Sequence, residues 1–186
     1  MSILHRLFPK VVYEQDELLL SELKTYKEFF LKENNFQSSP LLNVPSTHKI
    51  NDQYHLRSEL HELVKTICQN SVKFIRQIGY SDDDISDLRL QNMWVNISES
   101  GSYIFPHIHS QSFISGVFYI ECDAEDELIF FNNPNDIMDR RPSRMNDSTH
   151  TIQCVPGKLV LFKSNLLHGT HSQNSQRKIA VSFNLV

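Results

Sequence analysis

His107 and His109 stand one residue apart in YIFPHIHSQSFISGVFYI, residues 103–120, an apolar stretch with a proline just before the pair. In an extended chain residues i and i+2 project to the same side, so both imidazoles address one target while Ile108 turns away. Two neighbouring imidazoles can share one transition metal, and a third ligand must then come from elsewhere in the fold. His168, in LFKSNLLHGTHSQNSQRKIAVSFN, is the best placed. It follows the strand-like KLVLF, where a barrel strand delivers a side chain to its mouth. His171 is a rival for that role and reads as a loop residue. With nine histidines in the chain, an H-x-H pair alone is weak evidence, and hydrogen-bonded strand histidines are its plain alternative. The order carries more weight: H-x-H, further strands, a lone histidine at a strand end, then Arg177 and Lys178 before a final strand. The other histidines, including His61, read as surface residues.

Strands must position these side chains, and the second half of the chain supplies them. LRLQNMWVNI, SGVFYIE, ELIFF, KLVLF and KIAVSFNLV are short, aromatic and β-branched, with turn residues between them. Pro156-Gly157 marks a tight turn before one of them. The first half is helical. After LFPKVVY, read as a short strand, residues 16–32 place Leu19, Leu23, Tyr26 and Phe30 at helical spacing. The proline-containing ENNFQSSPLLNVPSTHKINDQ reads as a polar connection. A second helix is predicted over residues 58–78, lined by Leu60, Val64, Ile67, Phe74 and Ile78, with Ser58 as its cap and Gly79 as its stop. Both helices are amphipathic and must lie on something apolar. The fold class is α+β, mainly β: a jelly roll backed by N-terminal helices. One domain is expected over residues 1–186, with 1–87 as helical support and 88–186 as the barrel.

Composition narrows the function. The 186 residues are 40% hydrophobic and 22% charged, a balance that suits a single globular core. A net charge of −4 argues against nucleic acid as the main partner. Arg140, Arg141 and Arg144 form the one basic cluster. It lies in the polar connection 132–150, a segment long enough to act as a lid over a substrate. No apolar run approaches the length of a membrane helix, and the N-terminus lacks the features of a signal peptide. Cys68, Cys122 and Cys154 are odd in number and far apart, which points to structural thiols and a reducing cytoplasm. Oligomeric state is left open.

The ordered motifs resemble the Fe(II)- and 2-oxoglutarate-dependent oxygenases, above all a branch that reads W-x-N, G-x-Y, H-x-H, S-G-V-x-Y, F-x-S-x-L-x-H and a terminal basic strand ending F-N. Here these are Trp94 and Asn96, Gly101 and Tyr103, His107 and His109, SGVFY at 115–119, LFKSNLLHG at 161–169 and RKIAVSFN at 177–184. The opening LFPKVVY fits as well, and residues 121–154 are least alike. The resemblance implies a double-stranded β-helix that holds Fe(II), 2-oxoglutarate and O₂ and acts on an unidentified organic substrate, releasing succinate and CO₂. Three facial ligands leave three positions on an octahedral iron, two for 2-oxoglutarate and one for O₂. In most such oxygenases the second motif position is a carboxylate, where this chain has His109. Three imidazoles are neutral, so the iron keeps one more positive charge. Similar three-histidine sites occur in cupin dioxygenases that need no 2-oxoglutarate. Two alternatives therefore stand: a cupin-like metalloenzyme without 2-oxoglutarate, and a non-catalytic metal-binding jelly roll. His109 is either a ligand or the neighbour of one.

A dicarboxylate co-substrate also needs a cation for its far end. Arg177 and Lys178 are the candidates. In the last strand Ile179, Val181 and Phe183 share one face with Arg177, whereas Lys178, Ala180, Ser182 and Asn184 share the small, polar one. A site inside a barrel prefers the polar face, which favours Lys178 with Ser182 beside it and keeps Arg177 as the alternative. Tyr103, Tyr119 and Asn96 are candidate hydrogen-bond donors to 2-oxoglutarate. Trp94 reads as core, Ser115 and Gly116 as residues that let a strand pass close to the cavity, and Gly101 as a turn residue.

Overall fold

Alternation along residues 177–185 sorts the chain into layers. In the computed structural model, which describes residues 10–34, 36–39, 42–123, 125–132 and 147–186, Ile179, Val181, Phe183 and Leu185 are buried on one face of that strand against the helices. Lys178, Ala180, Ser182 and Asn184 point the other way, into a cavity.

In chain order the elements are Val12–Gln15 (β1), Leu23–Leu31 (α1), Gln37–Ser39 (β2), Leu42–Ser46 (β3), His61–Gln77 (α2), Leu90–Glu99 (β4), Tyr103–Ile104 (β5), Ile114–Glu121 (β6), Glu127–Phe131 (β7), Thr149–Gln153 (β8), Leu159–Lys163 (β9), His168–Gly169 (β10) and Arg177–Leu185 (β11). The large sheet has eight strands in the order β1-β9-β6-β11-β4-β3-β2, with β5 paired to β3. β11 is its centre, antiparallel to β4 on one side and to β6 on the other. A three-stranded sheet, β10-β7-β8, packs on its inner face. Leu128, Phe130 and Ile152 of the small sheet meet Val117, Tyr119, Val160 and Phe162 of the large one. The outer face of the large sheet carries Met93, Val95, Phe118, Leu161 and Val181 against Tyr26, Phe30, Leu63, Ile67, Phe74 and Ile75 of the two helices. This is the jelly roll backed by helices that the patterning predicts.

Several boundaries differ from expectation for local reasons. The first helix starts at Leu23 rather than residue 16, because Glu17 and Leu19 hold positive φ (59° and 52°) and make a turn there. Leu18 N–H is tied to Gly157 O at 2.9 Å, so the turn rests on the Pro156-Gly157 corner. The second helix is entered through a 3₁₀ turn at Ser58–Leu60. Ser58 bonds Glu59 instead of capping α2, whose start has no side-chain cap. Gly79 does end it: with φ +98°, its N–H donates to Arg76 O and that of Tyr80 to Ile75 O, a Schellman closure. β2 and β3 arise in what reads as a polar connection, and β8 begins at the end of the connection 132–150, at Thr149. Within LFPKVVY, β1 begins at Val12, and residues 7–9 lie outside the described residues, as do Arg140, Arg141, Arg144 and most of the expected lid. Among the described residues no helix is long and apolar enough to cross a membrane.

Candidate metal centre and co-substrate pocket

His107 and His109 are not in a regular strand. They lie in an extended segment between β5 and β6 that borrows its register from the chain leading into β10. His107 N–H donates to His168 O at 2.9 Å and His168 N–H to His107 O at 3.1 Å, while His109 N–H donates to Ser164 O at 2.9 Å. That small ladder turns all three imidazoles the same way. Each offers one ligand nitrogen, and the three lie within 4.8 Å of one another. Ring centroids are separated by 4.4 Å (His107–His168), 5.1 Å (His107–His109) and 5.2 Å (His109–His168).

Neighbouring groups prepare the rings. His107 Nδ1 lies 2.8 Å from Phe105 O, and His168 Nδ1 2.8 Å from Leu166 O. A carbonyl only accepts, so Nδ1 carries the proton in both rings and Nε2 keeps its lone pair for a metal. Phe162 packs against His168 at 4.5 Å between centroids. Burial, reinforced by the neighbouring His107, pushes the His168 pKa down to about 3; the same causes, with His48 added, push His109 down to about 4. Both are thus held in the neutral form that binds metal. Gly169 makes the approach possible. A Cβ there would stand 2.7 Å from Ile104 O and 3.1 Å from Pro106 N, so a larger residue would push β10 away from the H-x-H segment.

The triad opens into a cavity of about 510 Å³. Deep within it is Lys178, 5% exposed. Among the described residues its Nζ has one ionic partner, Asp126 Oδ2, at the long distance of 3.9 Å, and no hydrogen bond. Asp126 is already supplied: Asn174 N–H and Ser175 N–H donate to Oδ1 at 3.0 and 3.4 Å, and the Ser175 hydroxyl donates to Oδ2. The ammonium therefore keeps donor capacity that is buried and unused, a costly arrangement unless an anion completes it. Asn96 donates to Ser182 Oγ at 3.1 Å, and its buried Oδ1 has no partner among the described residues. Tyr119 also lines the cavity. Burial, with Cys154 beside it, raises its pKa well above the usual phenol value, so it keeps its hydroxyl proton. Three imidazoles that could hold a metal, a buried ammonium and polar side chains thus share one cavity, a donor set that fits Fe(II) together with a dicarboxylate.

Residues 92–184 match the family model described as "Putative 2OG-Fe(II) oxygenase". The chain belongs to the 2OG-Fe(II) oxygenase family. The chemistry of that family uses Fe(II), 2-oxoglutarate and O₂. The fold agrees. It is similar to a viral collagen prolyl hydroxylase from Paramecium Bursaria Chlorella virus-1 in complex with 2OG, at 15% identity and a TM-score of 0.63, covering 94% of each chain. A Pseudomonas putida prolyl-4-hydroxylase matches at 12% identity and 0.62, covering 94% of this chain and 92% of its own. HygX from Streptomyces hygroscopicus, with nickel, 2-oxoglutarate and hygromycin B bound, matches at 10% and 0.59, covering 95% and 82%. No curated protein matches the sequence significantly.

The remaining candidate residues of the oxygenase divide by position. Asn96, Tyr119, Lys178 and Ser182 line the cavity with the triad. Arg177 does not: its guanidinium grips Glu121 through two bonds of 2.9 and 3.0 Å on the other face of β11, beside Lys27. Tyr103 is also outside the lining, half-buried with its ring edge-on to Phe105 at 4.9 Å. His171 is exposed. Trp94, read as core, is buried yet faces the cavity and stacks on His109 at 5.9 Å and 24°. Its parity with Asn96 along β4 was the signal for that. His48, 4.2 Å from Trp94, lines the cavity too. It comes from the polar stretch after β3, where no periodicity marks it. Gly116 contributes backbone to the cavity, but its missing side chain matters on the opposite face. A Cβ there would run into the Phe183 ring and stand 2.7 Å from Leu161 Cδ2.

Proposed function

We propose that this oxygenase binds Fe(II) through His107, His109 and His168, anchors the far carboxylate of 2-oxoglutarate on Lys178, and hydroxylates an organic substrate entering from the cavity mouth, with release of succinate and CO₂. The observation that carries the reading is the sharing of one cavity by three imidazoles within 4.8 Å and a buried, under-coordinated ammonium. Fe(II) with 2-oxoglutarate and O₂ supplies the oxidising power for attack on an unactivated C–H bond. The protein supplies placement. His107 and His168 present Nε2 because backbone carbonyls hold their Nδ1 protons, and Ser182, Asn96 and Tyr119 offer hydrogen bonds from the wall of the same cavity. A cupin-like site that does not use 2-oxoglutarate has no need of the buried Lys178, which favours the 2-oxoglutarate reading. The domain reading is likewise a proposal: residues 1–87 support and 88–186 form the barrel of one domain, because α1 and α2 share a core with β4, β6, β9 and β11. A reducing cytoplasm suits three free cysteines, two of them buried.

Anaerobic addition of Fe(II) and then 2-oxoglutarate tests this. The expected result is a metal-to-ligand charge-transfer band that needs both additions, and succinate on admitting O₂. In His107→Ala and His168→Ala the band is absent because iron is not held. A wild-type protein that binds iron but gives neither band nor succinate removes the proposal.

A further inference from the structure

We infer that the primary substrate is an organic anion with an apolar body, its negative group met by Lys49 at the mouth of the cavity. The inference rests on the metal and 2-oxoglutarate assignments above and adds the substrate class.

The chain is acidic, with 22 Asp and Glu against 18 Lys and Arg. The cavity is the reverse. Among the described residues its wall carries Lys49, Lys178 and four histidines, and no Asp or Glu. The carboxylate nearest in sequence to His48, Asp52, is outside the lining and accepts hydrogen bonds from Gln53 and Asn92. A divalent iron on three neutral imidazoles keeps both positive charges and Lys178 adds one, while Asp126 beside Lys178 and the 2-oxoglutarate dianion together cancel all three. The inner end is then neutral, where a carboxylate in place of His109 would make it negative and repel an anion. Lys49 adds an uncancelled positive charge at the mouth, where it is exposed and makes no ion pair with a described residue. A second anion relieves this imbalance and a cation aggravates it. Part of the mouth is apolar: Phe105 and Ile108, in and beside the H-x-H segment, are 47% and 50% exposed and line the cavity with Trp94, next to the polar Gln91, Ser110 and Gln111. Such a wall suits an aryl or alkyl body behind a charged head.

Trp94 is the single tryptophan of the chain and reports on the cavity by its fluorescence. The test uses full-length protein loaded with Ni(II), which does not turn over, and saturated with 2-oxoglutarate while Trp94 emission is followed. Phenylacetate, its neutral isostere phenylacetamide and the cation phenethylamine are then titrated. Phenylacetate is expected to bind about tenfold or more tighter than the amide, with the amine weakest. Lys49→Glu abolishes the preference for the acid and leaves the preceding 2-oxoglutarate titration unchanged. Equal affinity for acid and amide, no response to any of the three, or a preference that survives Lys49→Glu overturns the inference. If instead 2-oxoglutarate itself produces no saturable change in the wild-type protein, the underlying co-substrate assignment is what fails.

Discussion

At the level of single residues, Lys178 and Arg177 are adjacent in sequence and opposite in circumstance. Arg177 spends its guanidinium on Glu121 in a half-exposed bidentate pair, the kind of surface contact worth at most about 1 kcal/mol. Lys178 is buried, with one carboxylate neighbour among the described residues, at 3.9 Å. Truncating one partner of a buried charge pair typically costs about 2–5 kcal/mol of binding. Lys178→Met is therefore expected to weaken 2-oxoglutarate binding by about 30-fold or more while Fe(II) affinity holds, since the triad is untouched. Arg177→Met should leave both unchanged and lose a little stability. Calorimetric titration of each variant with metal, then 2-oxoglutarate, measures both effects. Lys178→Met should still fold, because Asp126 keeps its bonds from residues 174 and 175. An Arg177 variant that loses 2-oxoglutarate while Lys178→Met does not would reverse the assignment.

At the level of elements, β6 and β11 make the barrel wall, and Gly116 sets how closely its outer face packs. It stands between Phe183 of β11 and Leu161 of β9 in register. An added methyl must displace a core ring, so Gly116→Ala is expected to destabilise the fold by about 1–3 kcal/mol in denaturant titration, despite alanine's better strand propensity. Phe183→Leu in the same chain should recover part of that loss, and additivity in the double-mutant cycle would show that the two residues do not press on each other. Elements of this kind were legible in the sequence. Two-residue alternation in RKIAVSFNL separates the helix-side residues from the cavity-side ones, and the same parity brings Trp94 to the cavity with Asn96. His168 was legible by its place after KLVLF, and in the structure it opens β10. Less was visible where backbone bonds rather than side-chain periods decide. β2 and β3 form in a stretch with no alternation, the turn at Glu17 and Leu19 depends on the distant Gly157 corner, and His48 reaches the cavity from a loop. The H-x-H segment was readable as extended, but its partner, the 164–168 backbone, was not.

At the level of the whole molecule, the price of a preformed triad is sensitivity to acid. His109 and His168 have folded pKa values near 4 and near 3, against 6.5 when exposed, and burial lowers His48 and His55 in the same direction. Between pH 6.5 and those lowered values the unfolded chain takes up protons that the folded chain refuses. The free energy of unfolding therefore falls as pH drops through that window, and it is independent of these groups above it. The carboxylates with lowered pKa, Glu59, Asp84 and Glu121, give up their contribution only below about pH 4.5, the ordinary carboxylate range. The interval from about pH 6.5 to 5 thus belongs to the imidazoles. The metal-free protein should show a melting temperature that is flat above pH 7 and declines below it. His168→Gln, which removes the most strongly shifted group without adding a titrating one, should decline less over that interval. Ni(II) should raise the wild-type melting temperature across the interval, because a metal bound only in the folded state adds stability, and His109 and His168, neutral in the folded protein down to about pH 4 and 3, do not surrender it to protons there. Melting curves from pH 5 to 8 on both proteins, with and without Ni(II), measure this. Parallel declines in the two metal-free proteins would mean that burial of the triad is not the source of the acid sensitivity, and a nickel effect in His168→Gln equal to that in wild type would mean that the ion is held elsewhere.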